Sequence, residues 1–204
     1  MLLSNHISDM SKFSIIPFSI NLILLLVFYN MDAQPSNNTA SKVPDPKYLN
    51  HIYYYGKDTL TELEQASAHM ISRTKAFGYG GSEGGYSMDG EKSVVRFGSS
   101  DTIRFATKLN MTMGDPSMII RLYKFNARKG NREVILSSQP GPYQKEKSHD
   151  KDDIPFNVQQ AGNDIYLIIP ASNLSPGEYG FLNMMLMHGG GMKLTYTVFA
   201  FGVN

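Results

Sequence analysis

The sequence predicts a mainly β protein, an antiparallel β-sandwich of Ig-like or Greek-key type, preceded by an N-terminal signal peptide. Two observations lead to this fold class. Turn-forming combinations of Gly, Pro, Asn and Asp recur at short intervals from residue 48 onwards, and short runs rich in β-branched and aromatic residues lie between them. Because short strands without alternating helices are typical of antiparallel sandwiches, residues 48–204 are predicted to form one β-sandwich domain.

The N-terminal segment has the order of a secretory signal peptide. Lys12 precedes an apolar stretch, Phe13–Tyr29, and Ala33 stands at the expected cleavage point. This order predicts export to the periplasm or the cell exterior, with removal of residues 1–33. Residues 34–47 are polar and rich in Pro, and they are predicted to form a flexible linker.

A membrane anchor that is retained rather than cleaved is the alternative reading of the leader. Its apolar span, Phe13–Tyr29, has 17 residues and contains Pro17 and Asn21. A membrane-spanning helix needs about 20 predominantly apolar residues. The span therefore favours a signal peptide, and no integral membrane span is predicted once the signal has been removed.

Composition excludes several functional classes. The chain has no cysteine, so disulfides, thiolate metal sites and a cysteine nucleophile are excluded. The formal net charge is +1, and it becomes +2 when Lys12, Asp9 and Asp32 of the leader are removed. A chain so nearly neutral lacks the basic field that nucleic-acid binding requires.

Three segments in the body of the chain have strand patterns. Ile103–Leu109 alternates apolar and polar residues, which predicts a half-buried strand. Ser117–Phe125 and Ile165–Ile169 have less polar alternation, as central strands of a sandwich do.

The C-terminal part supplies a turn and a last strand. Ser175–Glu178 predicts a type II turn in which Gly177 takes a positive φ. Leu194–Val203 has two largely apolar faces, which predicts a strand inside the sandwich rather than at its edge.

The segment Thr59–Phe77 allows two interpretations. Thr59 and Glu62 form a capping box before apolar residues at helical intervals, which favours a helix. A hairpin through Gly56–Asp58 would instead pair Ile52–Tyr55 with Leu60–Leu63 as strands. The sequence leaves helix and strand open here.

Three short motifs together resemble a pattern found in uncharacterised exported bacterial β-sandwich proteins. They are a Gly-x-Lys-Ser strand within Asp89–Phe97, a Pro-Gly-Glu-Tyr turn within Leu174–Tyr179, and a terminal Phe-Gly-Val within Phe199–Val203. The resemblance extends over Tyr48–Asn204. It implies export and a β fold, and since that group has no assigned activity it implies no functional residue.

Ser82 and a glycine-rich loop suggest an esterase. Gly80–Gly84 matches the nucleophile-elbow pattern around Ser82, and His188–Gly191 matches the oxyanion-loop pattern. An elbow requires a strand-to-helix turn in a parallel sheet, and in esterases the oxyanion loop precedes the serine instead of following it. The esterase is therefore the least favoured of three functional hypotheses.

His188 and Met192 are the candidate metal ligands. Thioethers together with imidazole suit copper, and an exported protein without cysteine would need such ligands. Met184 and His188 would stand about 13 Å apart on an extended strand, too far to share one ion. Only a site built across the glycine turn remains, and methionines that fill the core are the competing interpretation.

The sequence therefore predicts an exported, non-enzymatic binding or interaction module. Its partner would be a protein or a glycan at the cell surface or in the periplasm, and no cofactor or catalytic residue is predicted. The alternative is a periplasmic copper-binding protein that uses His188 and Met192. An esterase with Ser82 comes third.

Overall fold

The computed structural model describes residues 43–110, 115–142, 152–189 and 194–204. The predicted signal peptide and most of the predicted linker lie outside these residues. The helical elements that lie wholly in the described part are a 3₁₀ turn, Ala76–Gly78, and one short helix, α1 (Pro116–Ile119). None of the described helices has the length and apolarity that crossing a membrane requires.

Twelve strands make up most of the described chain, which confirms the prediction of a mainly β fold. In chain order they are β1 (Ile52–Gly56), β2 (Thr59–Glu62), β3 (Glu64–Thr74), β4 (Ser82–Asp89), β5 (Arg96–Phe97), β6 (Phe105–Lys108), β7 (Ile120–Arg128), β8 (Asn131–Gln139), β9 (Phe156–Gln160), β10 (Ile165–Pro170), β11 (Gly177–His188) and β12 (Thr195–Val203).

The strands form two sheets. The smaller has the order β2-β1-β6-β10-β9, and the larger has the order β11-β7-β8-β4-β3-β12-β5. Neighbouring strands are antiparallel, except for β5 and β12, which are parallel. β11 and β12 also pair with each other, so the larger sheet closes into a six-stranded barrel that β5 extends.

The closed barrel differs from the open two-sheet sandwich that the sequence predicts. β11 pairs with β7 on one side and with β12 on the other, and β12 also pairs with β3. The hairpin of β11 and β12 thus joins both ends of the larger sheet. Closure removes free sheet edges along most of its circumference.

An aromatic core lies between the barrel and the smaller sheet. Phe105 of β6 contacts Phe181 of β11 and Phe201 of β12, with ring centroids 4.7 and 4.9 Å apart. All three rings are fully buried. Edge-to-face aromatic contacts contribute about 0.5–1.5 kcal/mol each beyond the burial of area.

The barrel interior has its own apolar core, with Met88, Val134, Leu182 and Val198 fully buried. Alternate residues of β12 enter the two cores: Val198 points into the barrel, while Phe199 faces the smaller sheet. The prediction that the terminal strand is interior is confirmed. Its two apolar faces follow from burial on both sides.

Thr59–Phe77 is strand in its first part. β1 and β2 form a hairpin in which Tyr55 pairs with Leu60, and β3 continues to Thr74. Lys57 and Asp58 of the turn both have positive φ. Tertiary pairing thus prevails over the local capping box.

Two strand predictions need correction. The segment Phe105–Thr107 is buried on both faces rather than one, because Val43 and Tyr55 pack with Ala106 on the side away from the barrel. The strand predicted over Ser117–Phe125 begins later, at Ile120, because its first residues form α1. Asp115 caps this helix by accepting a hydrogen bond of 2.8 Å from the backbone N–H of Ser117.

The predicted type II turn at Ser175–Glu178 is absent. Gly177 has a φ of 158°, not the value of about 80° that a type II turn has, and it begins β11. The chain passes here from β10 in the smaller sheet to β11 in the barrel, so the segment is a crossing between sheets and not a hairpin. The positive φ that the sequence predicts for Gly177 is present and favours glycine, and a Cβ there would also meet the flexible side chain of Lys124 at 2.7 Å.

Candidate binding site

The two ends of the barrel differ in composition. At the end named here the closed end, β3 and β11 begin at Glu64 and Gly177 and β4 ends at Asp89. At the opposite end, named the splayed end, β3 ends at Thr74 and β11 ends at His188. Buried charged side chains fill the closed end, while apolar and tyrosine side chains, together with paired surface charges, occupy the splayed end.

Arg132 is at the centre of the closed end. Its side chain is only 1% exposed, and its Nη2 donates a hydrogen bond of 2.7 Å to Oε1 of Glu64. The Nη1 of Arg132 lies 3.8 Å from Oε2 of Glu178, and its Nε donates to the carbonyl of Gly90 at 2.9 Å. A buried guanidinium is thereby surrounded by two carboxylates and a backbone oxygen.

The loop between β4 and β5 covers this charged cluster. The backbone N–H of Ser93 donates to Glu178 at 2.7 Å, and that of Val94 donates to Glu64 at 3.1 Å. Arg96 adds a hydrogen bond of 2.6 Å to the other oxygen of Glu178. Both carboxylates of the cluster therefore bind the loop and an arginine at once.

Residues from all three sequence motifs meet at the closed end. Ser93 belongs to the Gly-x-Lys-Ser motif, Glu178 to the Pro-Gly-Glu-Tyr motif and Gly202 to the terminal motif. Ser93 binds Glu178, and the backbone N–H of Gly202 donates to the carbonyl of Val95 at 2.8 Å. The motifs thus contribute to the structure that closes the barrel.

The pKa of Glu64 is below its ordinary value. Burial alone would raise the pKa of this carboxyl, but hydrogen bonds from Arg132 and Ser93 and the charge of Arg132 outweigh burial and lower it. Glu64 is therefore ionised at neutral pH and holds Arg132 as a charge-assisted partner.

At the splayed end, β7 and β8 separate. Their pairing covers only the three residue pairs next to their turn and stops at Asn126 and Glu133. Beyond that point β7 continues beside β11 as far as Ile120, and β8 continues beside β4 as far as Gln139. A slit therefore opens in the barrel wall between the first half of β7 and the second half of β8.

Three tyrosines lie on the inner face near this slit. Tyr86, Tyr123 and Tyr196 are on β4, β7 and β12, and each packs against the inner core of the barrel. The rings of Tyr86 and Tyr196 meet edge to face, with centroids 5.1 Å apart. Burial, reinforced by Tyr196, raises the pKa of Tyr86 to about 12, so its hydroxyl stays protonated.

The splayed end carries an apolar rim. Its members are large apolar side chains between 44% and 103% exposed, on β3, the β3–β4 turn, α1 and the end of β11. They are Met70, Phe77, Tyr79, Met118, Met184, Met185 and Met187. Clusters of exposed apolar side chains on a protein surface mark interaction sites.

A cleft of about 450 Å³ adjoins the slit on the β7 side. Ser117, Arg121 and Phe156 line it, together with Asp153 and Ile154. The backbone N–H of Ile154 donates to Leu122 of β7 at 2.8 Å. This segment therefore takes up part of the β7 edge that β8 leaves.

The structure places His188, the candidate copper ligand, at the exposed end of β11. Its proposed companion, Met192, lies outside the described residues. His188 and His69 both pair with Thr195, so the two histidines flank that residue on one face of the sheet. No cluster of three His, Asp or Glu residues suited to a metal occurs in the described ranges.

Ser82 does not have the setting of an esterase nucleophile. It lies within β4, paired with β3 and β8, rather than at a strand-to-helix turn. Its Oγ is 3.4 Å from Oε1 of Gln139. Of the glycine-rich loop, residues 190 and 191 lie outside the described residues.

The Tyr53–Tyr55 run is not an exposed stacking surface. Tyr53 and Tyr55 are buried, and the ring of Tyr54 lies 4.3 Å from that of Phe97. The exposed tyrosine rings of the described residues lie elsewhere, at Tyr48 and at Tyr79 of the rim, while Tyr86 and Tyr123 are half-buried at the inner core. In the sequence, the alternation of Tyr86 and Met88 is the pattern that could have predicted two side chains on the inner face of one strand.

The chain matches no protein-family model, no curated protein and no solved structure.

Proposed function

We propose that this protein is an exported, non-enzymatic binding module that takes its ligand at the splayed end of the barrel. Export rests on the leader with Lys12 and the apolar span Phe13–Tyr29. The binding role rests on one observation above all, the apolar rim of the splayed end. The resemblance to exported bacterial β proteins agrees with this proposal.

The charges around the rim indicate the chemistry of the ligand. Arg73 forms an ion pair with Glu133, and Lys75 forms one with Glu83. Arg121 lies 3.9 Å from Asp153. Because each of these cations has a carboxylate beside it, the splayed end favours an apolar, nearly neutral ligand over a strongly charged one.

Methionines suit such a surface. Met70, Met184 and Met187 have flexible, polarizable side chains that adapt to the shape of a partner. Five of the seven rim side chains are methionines, against the two aromatic rings of Phe77 and Tyr79. The rim therefore favours a protein partner over a glycan.

Site-specific photo-crosslinking in exporting cells tests this function. A photoreactive phenylalanine analogue replaces Tyr79 or Met118 at the rim, or Val94 at the closed end as a matched exposed control. We expect both rim positions to yield an adduct with the same exported or surface protein, and Val94 to yield none. The same adduct from Val94, or none from the rim, would overturn the proposal.

A copper-binding protein is the second candidate function. His69 and His188 flank Thr195, and two strand spacings of about 4.8 Å each separate their Cα atoms. Two imidazoles can approach one ion across that gap, and imidazole suits Cu²⁺. Metal analysis of the exported protein tests this candidate. We expect about one copper per chain in the wild type and in His51→Ala, and none in His188→Ala.

A further inference from the structure

We infer that the ligand of the splayed end is an extended polypeptide segment that adds as a strand to β8, between Val134 and Gln139, at the edge with which no described residue pairs. This inference rests on the proposed function and specifies the partner. The two can fail separately, as the experiment below is designed to show.

One edge of β8 lacks a pairing strand among the described residues. From Val134 to Gln139, β8 pairs with β4 on one side only, and no described backbone group pairs with its other side. Strand edges that lack a partner are templates for an added strand. β7 does not offer the same opportunity at Leu122, since Leu122 already accepts a hydrogen bond from Ile154.

The pairing on either side of β8 fixes the direction in which its peptide groups point. A two-residue turn closes the β7–β8 hairpin, and its pairing includes Glu133 with Asn126. The carbonyl of Val134 points to β4, where a Cβ on Gly85 would overlap it. Since successive peptide groups of a strand point to opposite sides, the N–H and carbonyl of Ile135 face the slit.

An added strand on β8 would lie over an apolar and tyrosine-lined surface. Tyr123 and Leu136 pack on the inner core from the two sides of the slit, and Tyr86 lies beside them on β4. Alternate side chains of an added strand would contact these residues, while the others would point to solvent. The segment is therefore expected to have apolar residues at every second position, the usual chemistry of strand addition.

The edge of β8 lacks the guarding side chains of natural edge strands, although it does carry a β-bulge, which is itself a protective device. Natural edge strands are commonly guarded by Lys, Pro or an inward-pointing charge. The stretch Val134–Gln139 reads Val-Ile-Leu-Ser-Ser-Gln and contains none of these. The bulge opposite Gly84 and Gly85 is its one irregularity.

The test uses a phage-displayed heptapeptide library, selected on the chain from residue 34 onwards. Synthetic copies of the enriched peptides are measured by titration and by amide hydrogen exchange. We expect peptides with an apolar residue at every second position, which protect the amide of Ile135 from exchange. The amide of Val134 faces β4, and it is expected to be protected with or without peptide.

A pair of variants isolates the backbone contact. Ile135→Pro removes the N–H that faces the slit, at the kind of edge position where proline is tolerated. Ile135→Val keeps the N–H and serves as the matched control. We expect peptide affinity to fall about tenfold or more in Ile135→Pro and by less than about twofold in Ile135→Val. If Ile135→Pro does not fold, exchange at the Ile135 amide of the wild type decides the question.

The outcomes separate the two proposals. One outcome is that peptides compete with crosslinking at Tyr79 but do not protect the amide of Ile135 from exchange. This outcome would overturn strand addition and would still support the splayed end as the binding site. Selection of no peptide, or of peptides that do not compete at Tyr79, would also overturn strand addition. Protection of Ile135 that rises with protein concentration alone would identify a second copy of the chain as the occupant, and would overturn the proposal of a separate partner.

Discussion

The guanidinium of Arg132 on β8 donates a hydrogen bond of 2.7 Å to the carboxylate of Glu64 on β3 inside one end of the barrel. The side chain of Arg132 is 1% exposed and that of Glu64 is 20% exposed. Neither β-strand is the neighbour of the other, because β4 lies between them. The pair therefore spans the barrel interior and, with Glu178, links three strands at the closed end.

Removal of Arg132 is expected to be strongly destabilising. Arg132→Met leaves Glu64 without its cation and Glu178 with Arg96 as its remaining cation, and breaking a buried pair in this way costs about 3–5 kcal/mol. Urea denaturation measures the free energy of unfolding. Arg128→Met is the control, since its side chain is 59% exposed, and an exposed ion pair contributes only about 0–1 kcal/mol. An equal decrease in the free energy of unfolding of the two variants would show that the buried network around Arg132 does not stabilise the fold more than an exposed ion pair does.

Acid is expected to weaken the fold through Glu64 and Glu133. The pKa of Glu133 is lowered first by its hydrogen bond from Arg73, against the effect of burial, and the pKa of Glu64 is lowered as described above. A carboxyl whose pKa is lower in the folded state stabilises that state above the unfolded pKa, and this contribution disappears as the pH falls through the folded pKa.

The contribution of these two carboxyls to the free energy of unfolding should therefore be constant at neutral pH and decrease below a pH of about 4.5, the ordinary carboxyl value. Denaturation series between neutral pH and acid measure this dependence. Glu64→Gln should be less stable than the wild type at neutral pH. Its free energy of unfolding should decrease less on acidification, because glutamine has no carboxyl that takes up a proton. A wild-type slope that Glu64→Gln leaves unchanged would contradict the assignment.

The β class was predictable because strand alternation and turn residues are local signals. Both faces of the run that ends at Val203 are apolar, and this alone predicted an interior strand. Barrel closure was not predictable from such signals. It depends on which strands the β11–β12 hairpin joins, and the partners β7 and β3 lie far away along the chain.

The charged end of the barrel was also hidden in the sequence. Arg132 stands in the polar-looking start Asn131-Arg132-Glu133 of its strand, where an arginine normally points to solvent. Its burial depends on Glu64, 68 positions away. Glu178 and Ser93 did lie in quoted motifs, but only the fold shows that the motifs meet. The rim was hidden for the same reason, since its methionines come from separate elements.

Gly85 is expected to resist even the smallest substitution. A Cβ at this position would overlap the carbonyl oxygen of Val134 and lie 2.9 Å from the Cα of Ile135. Backbone atoms cannot rotate away, so Gly85→Ala should cost about 1–3 kcal/mol through overpacking. Gly162→Ala is the matched control, because its Cβ would meet only side-chain atoms of Ile165, the nearest at 3.5 Å. Thermal melts that show the same loss for both variants would refute the close approach of β4 and β8.

Leader removal provides a test that is independent of the fold. Export with cleavage after Ala33 should give a mature protein that begins near Gln34, as N-terminal sequencing of the exported fraction would show. A chain that still carries Phe13–Tyr29 in a membrane fraction would instead support the anchor. A full-length chain in the cytoplasm would contradict both interpretations.

Two phenylalanines separate the structural part of the barrel from its candidate binding surface. Phe199 is 1% exposed in the core between the sheets, whereas Phe77 is fully exposed at the rim. Phe199→Ala should cost about 3–5 kcal/mol, because it leaves a cavity in a closely packed core. Phe77→Ala removes no buried contact and should change stability by less than about 0.5 kcal/mol. Denaturation of both variants checks these values. Peptide titration checks whether Phe77 contributes to binding at the rim. A Phe77→Ala variant that keeps full stability and loses peptide affinity would confirm the rim as a working surface, while a large loss of stability would place Phe77 in the core instead.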